Sequence, residues 1–272
     1  MLYKIANFYA AFFANKLFYK WNKLLFHCAL RGLGIHNSET RKRSGEESFL
    51  RNILNQKGNQ SNTNKNLVVF DVGANVGNYS LYIKKINPNT EIYAFEPHPK
   101  TFQKLEKTAS QNGFNAFNVG CGDAEGTLII YDYAQNDGSS HASLYKGVME
   151  DIYQKESIAT EVEIIPLDPF IEKLMTENKI SQIDLLKIDT EGHELAVLQG
   201  AKSILEKGIV KAIHFEFNAM NIISRTFFKD FMDLLPNYDF YRMLPDSLHK
   251  IEKYDPIYDE IFAFQNIVAF KK

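Results

Sequence analysis

The 272-residue chain is long enough for one large α/β domain or two small ones. Its hydrophobic content of 45% and charged content of 24% are those of an ordinary globular protein, and a formal net charge of −2 speaks against a general nucleic-acid binder. Cys28 and Cys121 form neither a Cys-x-x-Cys pair nor a disulfide framework, so a reducing, cytoplasmic compartment is expected.

Residues 1–33 are apolar with only basic charges, namely Lys4, Lys16, Lys20, Lys23 and Arg31; the first acidic residue is Glu39. Read as one helix at about 100° per residue, Lys16, Lys20 and Lys23 share one side, and Leu17, Trp21, Leu24 and Cys28 the adjoining side. A basic amphipathic helix of this kind fits peripheral contact with an anionic inner membrane face; the competing reading is packing on the domain or oligomerisation. Lysines interrupt every window of ~20 residues, so a spanning segment is not expected. Nor does a signal peptide fit, since the apolar run from Ile5 to Ala14 is short and no clear small-x-small cleavage site follows. Arg41-Lys42-Arg43 reads as a solvated face, and residues 45–56 as a helix with Phe49, Ile53 and Leu54 inward. The Asn/Gln/Ser/Lys tract from Asn55 to Asn66 reads as a linker, dividing an N-terminal helical extension (1–65) from the main domain (66–272).

Leu67-Val68-Val69-Phe70 is a short apolar run with the composition of a strand buried on both faces. Asp71 to Gly77 turns the chain, and Asn78 to Lys85 carries apolar residues at helical spacing. Strand, glycine-bearing turn and helix make a nucleotide-type site, with glycines that let the backbone approach a ligand. A dianionic pyrophosphate would be repelled by Asp71, and G-x-G-x-x-G spacing is absent. The ammonium and sulfonium of S-adenosylmethionine would be attracted. Asp71-x-Gly73-x-x-x-Gly77 therefore reads as a methyl-donor loop; the alternative is a plain turn with Asp71 as helix N-cap.

Glu91 to Phe95 is a second strand, and Glu96, about 20 residues past the glycine turn, stands where an acid can hold ribose hydroxyls. His98 is a candidate ligand or a plain loop histidine. Residues 115–119 form a third strand, followed by Gly120-Cys121-Gly122-Asp123, where Asp123 could hydrogen-bond an adenine ring. Residues 126–133 and 158–167 read as an antiparallel pair around a polar loop (135–157). That loop is either an acceptor contact or a surface loop. Asp168-Pro169 reads as cap and first turn of a helix. Residues 183–188 form a buried strand ending in Asp189-Thr190-Glu191-Gly192-His193-Glu194, and 210–217 another with Glu216 near its end. Residues 239–243 and 266–270 could close the sheet as an antiparallel pair.

Alternating strands and helices imply a mostly parallel sheet with its ligands beyond the carboxyl strand ends. Asp71, Glu96, Asp123, Asp189 and Glu216 converge there. His193 or a carboxylate could deprotonate an acceptor hydroxyl, with Asp189, Glu191 and Glu216 as partners. Asp189 with Glu191 could instead hold Mg²⁺, the less favoured reading.

The stretches FDVGANVGNYS (70–80), FEPHP (95–99), VGCGD (119–123) and LLKIDTEGHELAVLQGA (185–201) resemble the FkbM-type family of S-adenosylmethionine-dependent methyltransferases. The resemblance covers roughly residues 66–272. It implies a Rossmann-like α/β fold with a mostly parallel seven-stranded sheet, here behind an N-terminal helical extension. It also implies O-methylation of a sugar or related small acceptor. The leader, with RGLGIHN and SGEESFL, is similar to members associated with bacterial surface-polysaccharide synthesis. Carried over by motif, Asp71, Gly73, Asn75, Gly77, Glu96 and Asp123 would bind the donor; His193, Asp189 and Glu191 match the second motif, where family members often carry a residue other than histidine. N- or C-methylation on the same fold, or a degenerate membrane- or partner-docking domain, are the alternatives.

Overall fold

A computed structural model describes residues 2–56, 66–133, 142–152, 154 and 156–272. Most of the Asn55–Asn66 tract and residues 134–141 of the polar loop lie outside them. The N-terminal part supplies four helices, α1 (Leu2–Phe13), α2 (Tyr19–Gly32), α3 (Arg41–Ser44) and α4 (Glu46–Gln56). The first 33 residues are therefore not one helix. The helix stops at Phe13 and restarts at Tyr19, leaving Lys16 and Leu17 in the turn. Asn15 holds that turn: its Nδ2 donates to the Phe12 carbonyl, and its Oδ1 accepts from the Leu17 and Phe18 amides. Asn22 then locks the two helices together, accepting from the Tyr9 hydroxyl (2.5 Å) and donating to the Phe13 carbonyl (2.9 Å).

The main domain runs β1 (Val68–Val72), α5 (Asn78–Ile86), β2 (Glu91–Phe95), α6 (Pro99–Asn112), β3 (Asn115–Phe117), β4 (Gly120–Cys121), β5 (Gly126–Tyr133), β6 (Ser157–Ile165), α7 (Leu167–Thr176), β7 (Leu185–Ile188), α8 (Glu194–Gln199), α9 (Lys202–Glu206), β8 (Ala212–Phe217), α10 (Met220–Ser224), α11 (Phe228–Leu234), β9 (Tyr238–Met243), β10 (Leu248–Lys250), α12 (Pro256–Asp259) and β11 (Gln265–Lys271). Among the described residues the main sheet has the order β10-β9-β11-β8-β7-β1-β2-β3. Pairing is parallel from β8 through β3, while β11 enters antiparallel between β8 and β9. Seven of these strands match the expected Rossmann-like sheet, and the short β10 adds an eighth at the edge. The expected antiparallel pair is β5 with β6; β4 joins them in a second, three-stranded sheet.

The apolar run of β1 is continuous because both faces of the sheet are covered. Val68, Phe70 and Val72 point into one core with Leu167, Val197, Leu205 and Phe231, from α7, α8, α9 and α11. Val69 points the other way, to Phe49, Leu50 and Leu54 of α4 and Tyr79 and Ile83 of α5. α4, though it precedes the Asn-rich tract, thus covers one face of the central strands. Asp168 does not cap its own helix as expected. Its carboxylate accepts from the Ser203 and Ile204 amides (2.8 and 2.9 Å) and caps α9 instead, because Pro166 already occupies the N-cap of α7.

β1 is the point where the winding reverses: β2 and β3 lie on one side of it, β7 and β8 on the other. Neighbouring loops part there, which opens a crevice at the carboxyl ends.

Leu50 is fully buried, whereas Phe8 of α1 is 67% exposed. Leu50→Ala is therefore expected to lower the unfolding free energy by about 2–5 kcal/mol. Phe8→Ala should stay within about 0.5 kcal/mol of the parent. Denaturant unfolding of the two variants distinguishes them, and equal small effects would remove α4 from the core.

Candidate active site

The crevice begins with a close backbone contact. A Cβ on Gly73 (φ +78°) would lie 1.8 Å from the Asp189 carbonyl oxygen, so only glycine lets the β1 turn lie against the β7 turn. Gly73 and Ala74 donate their amides to the Phe95 carbonyl at 3.0 and 2.9 Å. Glu96 finishes the tie: Oε2 accepts from the Asn75 amide (3.0 Å) and Oε1 from the His98 amide (2.9 Å). Asn75 sits at φ +51°, in the left-handed region that asparagine tolerates. Asp71 is not a helix N-cap; Gly77 takes that position at φ +88°, and Asp71, 1% exposed, accepts from the Ser80 hydroxyl at 2.6 Å.

The β7 turn is built by Glu194, whose Oε1 accepts from the amides of Thr190 and Gly192, both at 3.0 Å. The Ser143 hydroxyl braces it from the far side by donating to the Glu191 carbonyl at 2.7 Å. Behind it lies a side chain the motif reading passed over. Lys187 stands inside a buried strand, with Nζ 3.5 Å from Asp189 and 3.9 Å from Glu216. A lysine between Leu186 and Ile188 breaks an apolar run, and that was its visible signal.

These groups enclose a cavity of about 460 Å³, in the range of small-molecule sites. Asp71, Gly73, Asn75, Glu96, Asp189, Glu191, His193 and Glu216 all line it. Gly77 and Asp123 do not: Gly77 packs α5 toward Leu105 and Thr108, and Asp123 is exposed. The opposite wall was not legible in the motifs. It comes from residues 38–46, with Arg41 and Glu46, and from Phe264. Arg41 is held by donation to the Asn78 carbonyl (2.9 Å) and lies over the Tyr82 ring. Among the described residues, no group of three or more His, Cys, Asp or Glu side chains is arranged to hold a metal ion.

Burial dominates the electrostatics. It raises the Asp71 carboxyl to about 6 and that of Glu96 to about 7. Burial and the neighbouring charge of Asp189 push Glu191 and Glu216 well above the usual carboxylate range. Burial alone would pull Lys187 down, but Asp189, Glu216, Glu46 and Asp71 outweigh it and hold the ammonium firmly charged. His193 goes the other way: burial lowers its pKa, against the opposing charge of Asp123. It is a neutral imidazole at neutral pH. Its Nδ1 lies 3.3 Å from the Tyr145 hydroxyl, and its Nε2 has no hydrogen-bond partner among the described residues. The site thus pairs carboxylates that favour cations with one neutral base.

The family model described as "Methyltransferase FkbM domain" matches residues 71–242. Methyltransferase 1 of Beauveria bassiana is 30% identical over 145 residues, 48% of this chain and 57% of that protein. Hexuronic acid methyltransferase AglP of Haloferax volcanii is 24% identical over 162 residues, 60% of this chain and 59% of that one. 2-O-methyltransferase NoeI of Sinorhizobium fredii is 22% identical over 187 residues, covering 65% and 74%. For the first two, the chain spans less than two thirds of the relative's length.

Glu96 offers a pH test of this geometry. Its folded pKa, about 7, lies above its ordinary value of 4.5, so it stabilises the fold fully below pH 4.5, and that contribution is lost as pH rises through 7. The stability of the parent relative to Glu96→Gln should therefore fall by on the order of 3 kcal/mol as pH rises across that window. Buried His193 and His214 act in the opposite sense but cancel in the comparison. Unfolding curves at pH 4.5 and 8 that give the same difference would contradict the burial of this carboxyl.

Proposed function

Because the chain belongs to the FkbM methyltransferase family, we propose that it transfers a methyl group from S-adenosylmethionine to a hydroxyl of a sugar or related small acceptor, in surface-polysaccharide synthesis. The observation that carries this reading is the buried Asp71 carboxylate beside a glycine turn too tight for any Cβ.

The residues present fit such a donor. Asp71 would hold its cationic methionine end, the backbone of Gly73 and Asn75 would pass beside it, and Gly77 would keep the turn in shape. Glu96, already fixing the Asn75 and His98 amides, retains oxygen lone pairs for ribose hydroxyls. When bound, S-adenosylmethionine supplies an electrophilic methyl group on a sulfonium.

The chain's task is then to align the acceptor and take its proton. His193 lines the cavity as a neutral imidazole, and its Nε2, buried beside Gly122, has no hydrogen-bond partner among the described residues, which suits a base. The imidazolium formed on accepting the proton would be favoured by the nearby charge of Asp123, and this is the role assigned to that residue. Asp189, Glu191 and Glu216 would accept hydrogen bonds from the acceptor's hydroxyls, with Lys187 holding Asp189 and Glu216 in place.

The cavity also selects by charge. Among the described lining residues, Glu39, Glu46, Asp71, Glu96, Asp189, Glu191 and Glu216 face only Arg41 and Lys187 as basic groups. A neutral polyhydroxyl acceptor fits such a lining better than a multiply anionic one. The names of two relatives, one a hexuronic acid methyltransferase and one a 2-O-methyltransferase, support oxygen on a sugar-like acceptor.

Two variants test the assignment. Asp71→Ala should weaken S-adenosylmethionine binding by ~1–3 kcal/mol in calorimetry. His193→Ala should leave that binding intact and lower kcat by ~10²–10⁴-fold. Because the His193 pKa is depressed, the parent's acid limb should fall below the ordinary histidine value of ~6.5. EDTA should leave the rate unchanged; loss of activity restored by Mg²⁺ would move the catalytic role to Asp189 and Glu191. A fully active His193→Ala protein with the parent's pH profile would remove the base from the mechanism.

A further inference from the structure

The helical hairpin α1–α2 hardly touches the rest of the protein. Within it, Tyr9, Phe13, Phe18 and Asn22 are half-buried, and Leu30, close to the end of α2, is the first fully buried side chain in the described chain. Elsewhere the hairpin presents large apolar side chains to solvent, among them Phe8, Phe12, Leu17 (84% exposed), Trp21 and Leu24. Helices of 12 and 14 residues are marginal in water without packing. A surface this apolar normally has an occupant.

Charge says which occupant. Lys4, Lys16, Lys20, Lys23 and Arg31 stand in the first 38 residues with no Asp or Glu among them, in a chain whose total is −2. At about 100° per residue, Lys20, Lys23, His27 and Arg31 share one side of α2, and Trp21, Leu24, Leu25 and Cys28 the adjoining side. The same side of a second copy would present the same cations and be repelled. An anionic bilayer matches both features: its headgroups take the cations, and its acyl boundary takes the aromatic and aliphatic side chains. No helix among the described residues is long and apolar enough to cross a membrane. We propose that the α1–α2 hairpin is a peripheral anchor that lays the protein on an anionic lipid surface.

The anchor is joined firmly to the site. After α2, Ile35 is fully buried and the His36 amide donates to the Phe264 carbonyl at 2.7 Å. A Cβ on Gly34 would lie 2.3 Å from the Met243 carbonyl oxygen. Phe264 lines the cavity, and the next residues, 38–41, line it too. If the methyltransferase reading holds, on which this last step rests, docking brings the cavity mouth to the lipid surface and suits an acceptor carried there.

Trp21 is the chain's only tryptophan and reports directly. The 272-residue protein is mixed with vesicles of phosphatidylcholine alone or with about 30% of the anionic lipid phosphatidylglycerol, whose negative surface potential attracts Lys and Arg. Flotation should recover the protein with the anionic vesicles only. Trp21 emission should shift to the blue, and ~0.5 M salt should reverse both effects. Lys20→Glu/Lys23→Glu should lose at least tenfold in vesicle affinity while keeping the parent's thermal midpoint and donor binding. Equal partitioning into both vesicle types, or a blue shift that follows protein concentration without lipid, would overturn the proposal, the latter in favour of self-association. Donor calorimetry on the same samples separates this outcome from a failure of the methyltransferase reading.

Discussion

The site depends on one backbone contact, Gly73 against the Asp189 carbonyl. At the point where the sheet reverses its winding, two loops would ordinarily part and leave a wide gap. The missing Cβ lets them close to van der Waals distance at their base while their side chains stay apart above it. Glu96 then fastens the first loop to β2, and Glu194 rigidifies the second. Two carboxylates that could have faced a ligand are spent partly on holding the walls, so the cavity is organised before anything enters it.

Electrostatics follows from that enclosure. A rim of carboxylates in open water would stay ionised and well solvated. Here the acids are withdrawn from water, and their proton affinities rise. Lys187 limits the rise by placing one permanent cation underneath. The result is a set of carboxyls that gain most from a cationic visitor, because it relieves the repulsion and desolvation that the fold imposes.

Much of the fold could be read in the sequence because parallel strands covered on both faces write continuous apolar runs. The run from Val68 to Val72 and the glycines behind it placed the crevice correctly. The acids at four strand ends followed, since a strand's end is legible wherever its apolar run stops. What could not be read came from tertiary partners. Nothing local to Asp168 reveals that it caps a helix 35 residues away, and nothing in residues 38–46 announces a cavity wall. Asp123 matched its motif, yet it is exposed, because motif spacing does not specify the side-chain direction after a turn. The break between α1 and α2 was written in Asn15, a short polar side chain able to bond its own backbone. A helical wheel is blind to that signal.

The place of β11 carries a consequence for the making of the protein. This strand is the last of the sheet in chain order, yet it lies between β8 and β9. Until it arrives, β8, with the sequence AIHFEF, has an unpaired edge, and the β9–β10 hairpin has no strand linking it to the parallel sheet. An unpaired edge of that composition is a template for another chain. Newly made protein would therefore pass through a period in which most of its parallel sheet can form and its most adhesive strand is open. Crowded synthesis, or any change that delays β11, would send molecules to aggregation rather than merely lower their final stability.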